Sequence, residues 1–370
     1  MPVTSGRSTP SRVDLDRRDT YRHLDPCGIL DFAIHFPEQV AEAARIGRDF
    51  APPAQLRDPR NVMLAGMGGS AVAGDLLARL IEKRTPLPLA VCRNHDVPAL
   101  VGPDTLFIAS SFSGNTEETI SAAQHAFRRR AKLVCITTGG ELAAFARRKR
   151  VPIISLPRPD PNMPPRSALG YTLLPLVMLF ASLGLYPGAN REVREASTVL
   201  ESLCAGLHPG VATARNPAKQ LAKRLFGKIP VIQGTVGIMS AAAYRWRTQF
   251  NENSKVLAIS SEYPELGHNE VVGWELPKPL ARLFEVIVLT RPDEHPHLQA
   301  RVAITETIVR RKARVHLLRA EGRGLLAQLL WAICLGDFTS IYLAYLNQVD
   351  PATIRNIDQL KRRLQEQFGQ

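Results

Sequence analysis

Three hydroxyl side chains, Ser111, Ser113 and Thr116, follow an apolar run at close spacing. The run covers residues 105–109, and an amphipathic stretch begins at Ile120. This order predicts a strand that turns directly into a helix. Hydroxyl groups and unpaired backbone N–H groups at a helix N-terminus attract phosphate. The segment is therefore a candidate phosphate-binding loop.

A plainer interpretation of the same loop is a helix cap. Asn115 is followed three residues later by Glu118, which satisfies a capping pattern. Taken alone, the loop does not decide between phosphate binding and capping. The other motifs of the chain favour phosphate.

A glycine-rich loop, Gly66–Ser70, precedes the hydroxyl loop and follows the short apolar run at residues 61–64. Its sequence G-M-G-G-S resembles part of a dinucleotide-binding fingerprint. However, position 71 is alanine, and no acidic residue stands convincingly at the end of the next predicted strand, near Asp96. A dinucleotide-dependent dehydrogenase is therefore disfavoured.

Apolar runs alternate with amphipathic stretches along the first half of the chain, and the second half repeats this plan more weakly. The pattern is typical of parallel sheets that are covered on both faces. The predicted fold class is α/β, with two doubly wound parallel-sheet domains and helices on both faces of each. The predicted strands lie at residues 61–64, 87–91, 105–110, 132–137, 151–156, 229–233, 256–259, 284–289 and 313–317.

A Pro-rich stretch at residues 157–165 marks a domain boundary, and the apolar stretch Leu325–Leu346 predicts a long buried helix. Two similar domains that face each other create a cleft at the carboxyl ends of their strands, where ligands bind. The predicted division is a disordered N-terminal extension (1–24), a first domain (25–158), a linker with bridging helices (159–215) and a second domain with C-terminal helices (216–370).

The chain has 370 residues and a formal net charge of +13 that comes mostly from arginine. The arginine clusters fall on predicted helices and have no interleaved aromatic residues, so we interpret them as solvated helix faces. We predict no nucleic-acid partner. A modest positive field instead favours phosphorylated small molecules.

The five cysteines are scattered and have no C-x-x-C spacing, which is typical of a reducing compartment. The first 12 residues have no apolar core and do not form a secretory signal. The apolar run at residues 171–186 is too short to span a bilayer comfortably. We therefore expect a cytoplasmic protein without a membrane partner.

His295 and His297 are a possible pair of metal ligands, but no third ligand has suitable spacing. Pro296 between them indicates a loop. We therefore predict no metal site and no cofactor.

Four further motifs stand in order along the chain: Asn162–Ser167, Asn251–Lys255, Glu265–Glu270 and Ile357–Lys361. Together with the pairing of G-M-G-G-S and S-x-S-G-N-T, they resemble the bifunctional phosphoglucose/phosphomannose isomerases, whose two domains are of the sugar isomerase (SIS) type. The resemblance covers nearly the whole chain from about residue 24, and it implies a metal-free homodimer whose subunits complete each other's sites.

The resemblance implies that two loops hold the phosphate of a phosphosugar. Ser70, Ser111, Ser113 and Thr116 would bind the phosphate, and Gly68 and Gly69 would contact the substrate.

Aldose–ketose isomerisation moves a proton between C1 and C2 through a cis-enediol, and a carboxylate must remove and return that proton. Glu252 is the predicted base, and Arg166 is predicted to stabilise the negative charge on the enediolate oxygens. The resemblance implies that His268 opens the sugar ring in the neighbouring subunit's site, with Lys361 as its partner.

The sequence thus predicts reversible isomerisation of glucose 6-phosphate, and of mannose 6-phosphate, with fructose 6-phosphate. One alternative is a SIS isomerase that acts on another phosphosugar. A second alternative is a non-catalytic phosphosugar-binding regulator, because residue identity alone does not establish geometry.

Overall fold

The computed structural model of the protein describes residues 13–368. Its first sheet is parallel throughout, in the order β2-β1-β3-β4-β5 once the strands are numbered along the chain. Its five strands are β1 (Asn61–Ala65), β2 (Leu89–Cys92), β3 (Thr105–Ser111), β4 (Lys132–Thr137) and β5 (Ile153–Ser155).

The second sheet is also parallel throughout, in the order β7-β6-β8-β9. Its four strands are β6 (Ile229–Thr235), β7 (Ile259–Tyr263), β8 (Phe284–Thr290) and β9 (Arg314–Arg319). In both sheets a central strand continues into a loop and then a helix, so the carboxyl ends of the strands are free to build a site.

Fourteen α-helices lie in the described part of the chain. Those of the first half are α1 (Ile29–Ile34), α2 (Phe36–Asp49), α3 (Gly68–Ile81), α4 (Glu117–Arg128), α5 (Gly140–Lys149), α6 (Leu169–Ser182) and α7 (Ala189–Leu207). Those of the second half are α8 (Pro217–Leu225), α9 (Ile238–Gln249), α10 (Glu270–Gly273), α11 (Lys278–Ala281), α12 (Pro296–Val309), α13 (Leu325–Leu346) and α14 (Arg355–Phe368).

Both faces of the first sheet are covered by helices. Val62 and Leu64 of β1 pack into one apolar cluster with residues of α3 and α6. Met63 and Ala65, which alternate with them, pack into a second cluster with residues of α4 and α5. The same alternation divides the second sheet between two clusters. The predicted fold class, two parallel α/β domains with helices on both faces, is confirmed.

The long helix α13 lies in the centre of the molecule. All of its residues except Leu325 and Asp337 are buried, and it packs against α7, α8 and α9. It is long and apolar enough to cross a membrane by composition alone, but 94% of its apolar window is buried inside the protein. The prediction of a buried core helix is therefore confirmed.

One predicted strand is displaced. The apolar run at residues 256–259 predicts a strand there, whereas β7 is formed by Ile259–Tyr263. Lys255 has a left-handed backbone (φ 56°), and Leu257 is 79% exposed. The chain therefore needs three further residues after the turn before its backbone reaches the register in which Ile259 pairs with Val231.

The prediction of disorder for residues 1–24 is wrong for residues 13–24, and residues 1–12 lie outside the described part. Two 3-10 turns form at Arg18–Thr20 and Arg22–Leu24. Leu15 and Tyr21 are buried in the main core, and the Tyr21 ring stacks on Tyr345 of α13 at 4.6 Å. Two apolar side chains thus anchor a segment whose charged composition indicates solvent exposure. The domain boundaries themselves remain a prediction.

We expect Tyr21→Ala to lower the free energy of unfolding by about 3 kcal/mol, because it removes a buried ring and leaves a cavity. Tyr21→Phe should change it by less than about 1 kcal/mol, because the buried hydroxyl has no hydrogen-bond partner within residues 13–368. Urea unfolding of both variants measures the difference. Equal destabilisation by the two substitutions would contradict this packing role.

Candidate active site

The two predicted phosphate loops meet at the same edge of the first sheet. β1 and β3 are parallel neighbours, so the loops that follow them leave the sheet side by side. The backbone N–H of Phe112 donates a hydrogen bond of 3.3 Å to Oγ of Ser70. Ser70 is buried, and this bond joins the glycine-rich loop directly to the hydroxyl loop.

The hydroxyl loop is organised by its own side chains. Ser111 Oγ and Thr116 Oγ1 are 2.9 Å apart and share a hydrogen bond. The N–H of Gly114 donates to Ser111 Oγ at 3.1 Å, and the N–H of Asn115 donates to Ser113 Oγ at 3.3 Å. α4 begins at the next residue after Thr116. Three hydroxyls therefore surround the start of one helix, as predicted from the sequence.

Helix capping does not account for this loop. Asn115 Oδ1 accepts a hydrogen bond of 3.0 Å from the N–H of Glu141 in the first turn of α5, so Asn115 caps a neighbouring helix. Neither α3 nor α4 has a side-chain hydrogen bond at its N-cap. The capping alternative for α4 is therefore wrong. The N–H groups at these two helix starts are available to an anion.

Gly68 and Gly69 allow the glycine-rich loop to approach the linker closely. Gly68 has a φ of 51°, which favours glycine. A Cβ on Gly69 would lie 3.1 Å from the carbonyl oxygen of Pro165 and 3.8 Å from Cα of Arg166. The phosphate loops therefore lie against the 3-10 turn Pro165–Ser167, which carries Arg166.

The Arg166 side chain is 5% exposed and connects three separate segments. Its Nε donates to Asn253 Oδ1 at 2.8 Å, and its Nη1 lies 3.4 Å from Glu252 Oε2. Its Nη2 donates to the carbonyl oxygens of Pro351 and Ala352 at 2.5 and 3.0 Å. We call residues 350–352 the strap. Burial lowers the pKa of Arg166, and the Glu252 carboxylate opposes that shift.

Glu252 lies on a π-helical turn, Phe250–Ser254, that directly follows α9. Two neighbours fix this turn to α13: Asn253 Nδ2 donates to Ser340 Oγ at 2.9 Å, and Ser254 Oγ donates to the carbonyl oxygen of Ser340 at 2.6 Å. The Glu252 side chain itself is 31% exposed. A rigid turn thus presents a carboxylate that is still open to solvent.

A cavity of 730 Å³ opens beside Glu252. Lys255 and the apolar side chains Val256 and Ile354 line it, together with Thr353. Arg166 lies between this carboxylate and the glycine-rich loop: its guanidinium is 3.4 Å from Glu252, and its backbone leaves little room for a side chain at Gly69. The structure therefore places the Arg166 guanidinium beside the Glu252 carboxylate, on the turn that the glycine-rich loop approaches.

Lys255 is a residue of this site that sequence reasoning left without a role. Its Nζ donates to the carbonyl oxygens of Glu252 at 2.6 Å and Asp350 at 2.8 Å. Its position directly after the N-E-N-S segment was the available signal. A lysine beside a turn is otherwise indistinguishable from a solvated charge.

His268 and Lys361 are not brought to Glu252 within one chain. His268 ends the 3-10 helix Glu265–His268 after β7 and is exposed. Lys361 lies on α14, none of whose residues is buried. Within residues 13–368, no hydrogen bond or ion pair joins either side chain to Glu252 or Arg166, and neither lines the cavity. The single chain thus brings Glu252 and Arg166 together without these two residues.

Among the described residues, no group of three or more His, Cys, Asp or Glu side chains is arranged to hold a metal ion. The imidazoles of His295 and His297 have ring centroids 5.4 Å apart at the start of α12. There His295 Nδ1 accepts a hydrogen bond of 3.2 Å from the N–H of His297 and so serves as a helix cap.

Comparison with protein families finds two domain matches. Residues 55–182 match the SIS domain, and residues 214–364 match the bacterial phospho-glucose isomerase C-terminal SIS domain. Each match contains one of the two sheets. The crystal structure of a hypothetical protein from Thermus thermophilus has the same fold, with a TM-score of 0.72, 17% sequence identity and 96% of each chain covered.

Curated relatives match at higher identity. A bifunctional phosphoglucose/phosphomannose isomerase of Caldicellulosiruptor bescii is 39% identical over 91% of this chain and 99% of its own length. The protein of the same name from Thermoplasma acidophilum is 33% identical over 82% of this chain and 89% of its own length. The chain belongs to the family of bifunctional phosphoglucose/phosphomannose isomerases.

Proposed function

We propose that this protein reversibly isomerises glucose 6-phosphate and mannose 6-phosphate with fructose 6-phosphate, without a metal or another cofactor. The observation that carries the proposal is the position of the Glu252 carboxylate. It lines an open cavity, and its Oε2 lies 3.4 Å from Nη1 of the buried Arg166. The phosphate loops adjoin the same arginine. The names of the relatives support this pair of substrates.

Glu252 is proposed to remove the proton from C2 of an open-chain aldose phosphate and return it to C1, through a cis-enediol. Its carboxylate suits this task because the Arg166 contact of 3.4 Å is long for a hydrogen bond, and Glu252 is not locked by it. Glucose 6-phosphate and mannose 6-phosphate differ only at C2 and give the same enediol. One base can serve both sugars if the intermediate rotates so that either face of C2 is turned toward Glu252.

Arg166 is proposed to stabilise the negative charge that develops on the enediolate oxygens. Its hydrogen bonds to Asn253 and to the strap hold the guanidinium in place before the substrate arrives. A donor that is already oriented needs no reorganisation during the reaction, and removing such a group typically costs about 3–4 kcal/mol of barrier.

We also propose a homodimer in which His268 of one subunit serves the site of the other. Leu360 and Leu364 of α14 are exposed on one helical face with Ile357, which also lines the Glu252 cavity. Leu257, at the rim of that cavity, is 79% exposed. A contiguous exposed apolar surface marks an interaction site. A second copy seated here would cover this surface and bring an imidazole to the sugar ring.

The reaction would take place in the cytoplasm. All five cysteines are free thiols, and Cys135 and Cys334 are buried in the core. Buried thiols of this kind suit a reducing compartment.

Two other functions were predicted as alternatives. A SIS isomerase for another phosphosugar would keep the same base and change the substrate. A phosphosugar-binding regulator would need no carboxylate open to the sugar, and the position of Glu252 favours an enzyme instead.

Glu252→Gln should lower kcat for fructose 6-phosphate by at least about 100-fold, because an amide cannot accept the carbon-bound proton. Binding of the phosphosugar should change little, since the phosphate loops are intact. NMR of the sugar products in excess EDTA gives the rate, and calorimetry gives the affinity. Glu201→Gln on the exposed face of α7 is the control and should behave as the wild type. An equal loss of binding and turnover would argue against a base role.

Thr116→Val should raise KM about tenfold and leave kcat nearly unchanged, because a contact to phosphate acts equally in the ground and transition states. Thr116→Ser keeps the hydroxyl that bonds Ser111 and should retain a KM close to the wild type's. Steady-state kinetics with fructose 6-phosphate compares the two. A fall in kcat at constant KM would refute the phosphate assignment.

Heterodimers of one Glu252→Gln subunit and one His268→Asn subunit test the shared site. If each site takes its base and its imidazole from different subunits, one of the two sites is intact and the heterodimer should show about half the wild-type rate. Two affinity tags isolate the mixed species after co-expression. Activity no higher than that of the single-variant homodimers would mean that His268 acts within its own chain, or that no dimer forms.

A further inference from the structure

The ammonium group of Lys255 faces backbone carbonyl oxygens on two segments. Nζ lies 2.6 Å from the Glu252 carbonyl and 3.3 Å from that of Asn253, both on the π-helical turn. It also lies 2.8 Å from the Asp350 carbonyl and 3.4 Å from that of Pro351, both on the strap. Lys255 therefore connects the turn that carries the base to the strap.

The strap is held by a second cation at the same time. Nη2 of Arg166 donates to the carbonyl oxygens of Pro351 and Ala352, while Nη1 approaches the Glu252 carboxylate. Two cations thus share the Pro351 carbonyl and contact both the Glu252 turn and the strap. Movement of the strap would alter the distance between the Glu252 carboxylate and the Arg166 guanidinium.

The backbone at Lys255 supports a specific role for this side chain. Lys255 adopts a left-handed conformation, with a φ of 56°, which is unfavourable for a residue with a long side chain. Such conformations persist where the surrounding structure holds them, and they cluster at active sites. Lys255 ends the π-helical turn, and its side chain donates hydrogen bonds to carbonyl oxygens of that same turn.

We propose that Lys255 is a positioning residue for the isomerisation: it fixes the π-helical turn to the strap and thereby sets the Glu252 carboxylate relative to Arg166. This inference rests on the proposed function. Lys255 acts through Glu252 and transfers no proton itself. A lysine that only capped the end of a helix would affect stability and leave catalysis unchanged.

The charge of Lys255 is sensitive to pH. Burial, together with the positive charge of Arg166, lowers its pKa from 10.5 to about 8, whereas Asp350 and Glu252 oppose the shift. Arg355, at the start of α14, is the other charged group that lines this cavity. An ammonium has three N–H donors, while a neutral amine has two and a lone pair that faces carbonyl oxygens. Loss of the proton therefore weakens the connection.

Activity and stability should respond in opposite directions to this titration. Activity should fall as the pH rises through about 8, because the turn is then held less firmly. The unfolded chain keeps the Lys255 proton up to about pH 10.5, whereas the folded protein has already released it. Since the unfolded state binds more protons between these values, this group makes folding more favourable as the pH rises across the same window.

The experiment compares Lys255→Met and Lys255→Arg with the wild-type enzyme from about pH 6.5 to pH 9.5. Met keeps the apolar stem as far as the ε position but removes every donor, so kcat for fructose 6-phosphate should fall about tenfold or more, with KM within about twofold of the wild type's. Arg keeps the charge and the donors at all these pH values. It should restore most of kcat and remove the decline near pH 8.

Lys228→Met is the matched control, because Lys228 Nζ also donates to a backbone carbonyl. That carbonyl belongs to Arg282, just before β8, and not to the π-helical turn or the strap. Its kcat and pH profile should be those of the wild type. Thermal unfolding of Lys255→Met should show a smaller gain of stability between pH 8 and pH 10 than the wild type.

Wild-type kcat in Lys255→Met, or a decline near pH 8 that persists in Lys255→Arg, would overturn the role of Lys255 while the wild type still turned over fructose 6-phosphate. Absence of turnover by the wild type would instead overturn the proposed function, and the role of Lys255 with it.

Discussion

The buried guanidinium of Arg166 is the interaction on which the site depends. A positive charge that is 5% exposed must be fully hydrogen-bonded, and removing a partner of a buried ion pair costs about 3–5 kcal/mol. Arg166 meets this demand with partners from the π-helical turn and from the strap. Because the turn that carries Arg166 leaves little room for a side chain at Gly69, satisfying this one charge also sets the glycine-rich loop relative to Glu252.

A second ion pair, between Arg245 and Asp337, holds the backbone of Arg166. Arg245 of α9 donates to the backbone carbonyl of Arg166 at 2.7 Å and pairs with Asp337 at 3.1 Å. Asp337 is one of two partly exposed residues of α13, with 16% of its side chain accessible, and it is the helix's one carboxylate. Burial of its carboxyl group raises the pKa of Asp337, and Arg245 opposes that shift. The one carboxylate of α13 thus pairs with Arg245, which in turn holds the backbone carbonyl of Arg166.

Local patterns predicted most of the fold, and the positions of the loops followed from it. Apolar runs gave eight of the nine strands in place, because parallel strands buried on both faces are continuous apolar segments. β7 was displaced because a left-handed backbone at Lys255 delays the pairing of Ile259, and no local pattern shows a register. The role of Asn115 as the cap of α5, and the burial of Tyr21 against α13, depend on contacts between distant segments. The contacts of the strap with Arg166 and Lys255 also join distant segments, so no local pattern predicts them.

The hydrogen bond between Arg166 and Pro351 joins residues that are 185 positions apart. Contacts of such long range form late, because the entropy of closing the intervening loop must be lost first. During synthesis on the ribosome, the first sheet and its loops are made long before the strap. The contacts that orient the Arg166 guanidinium can therefore form only when nearly the whole chain has been made.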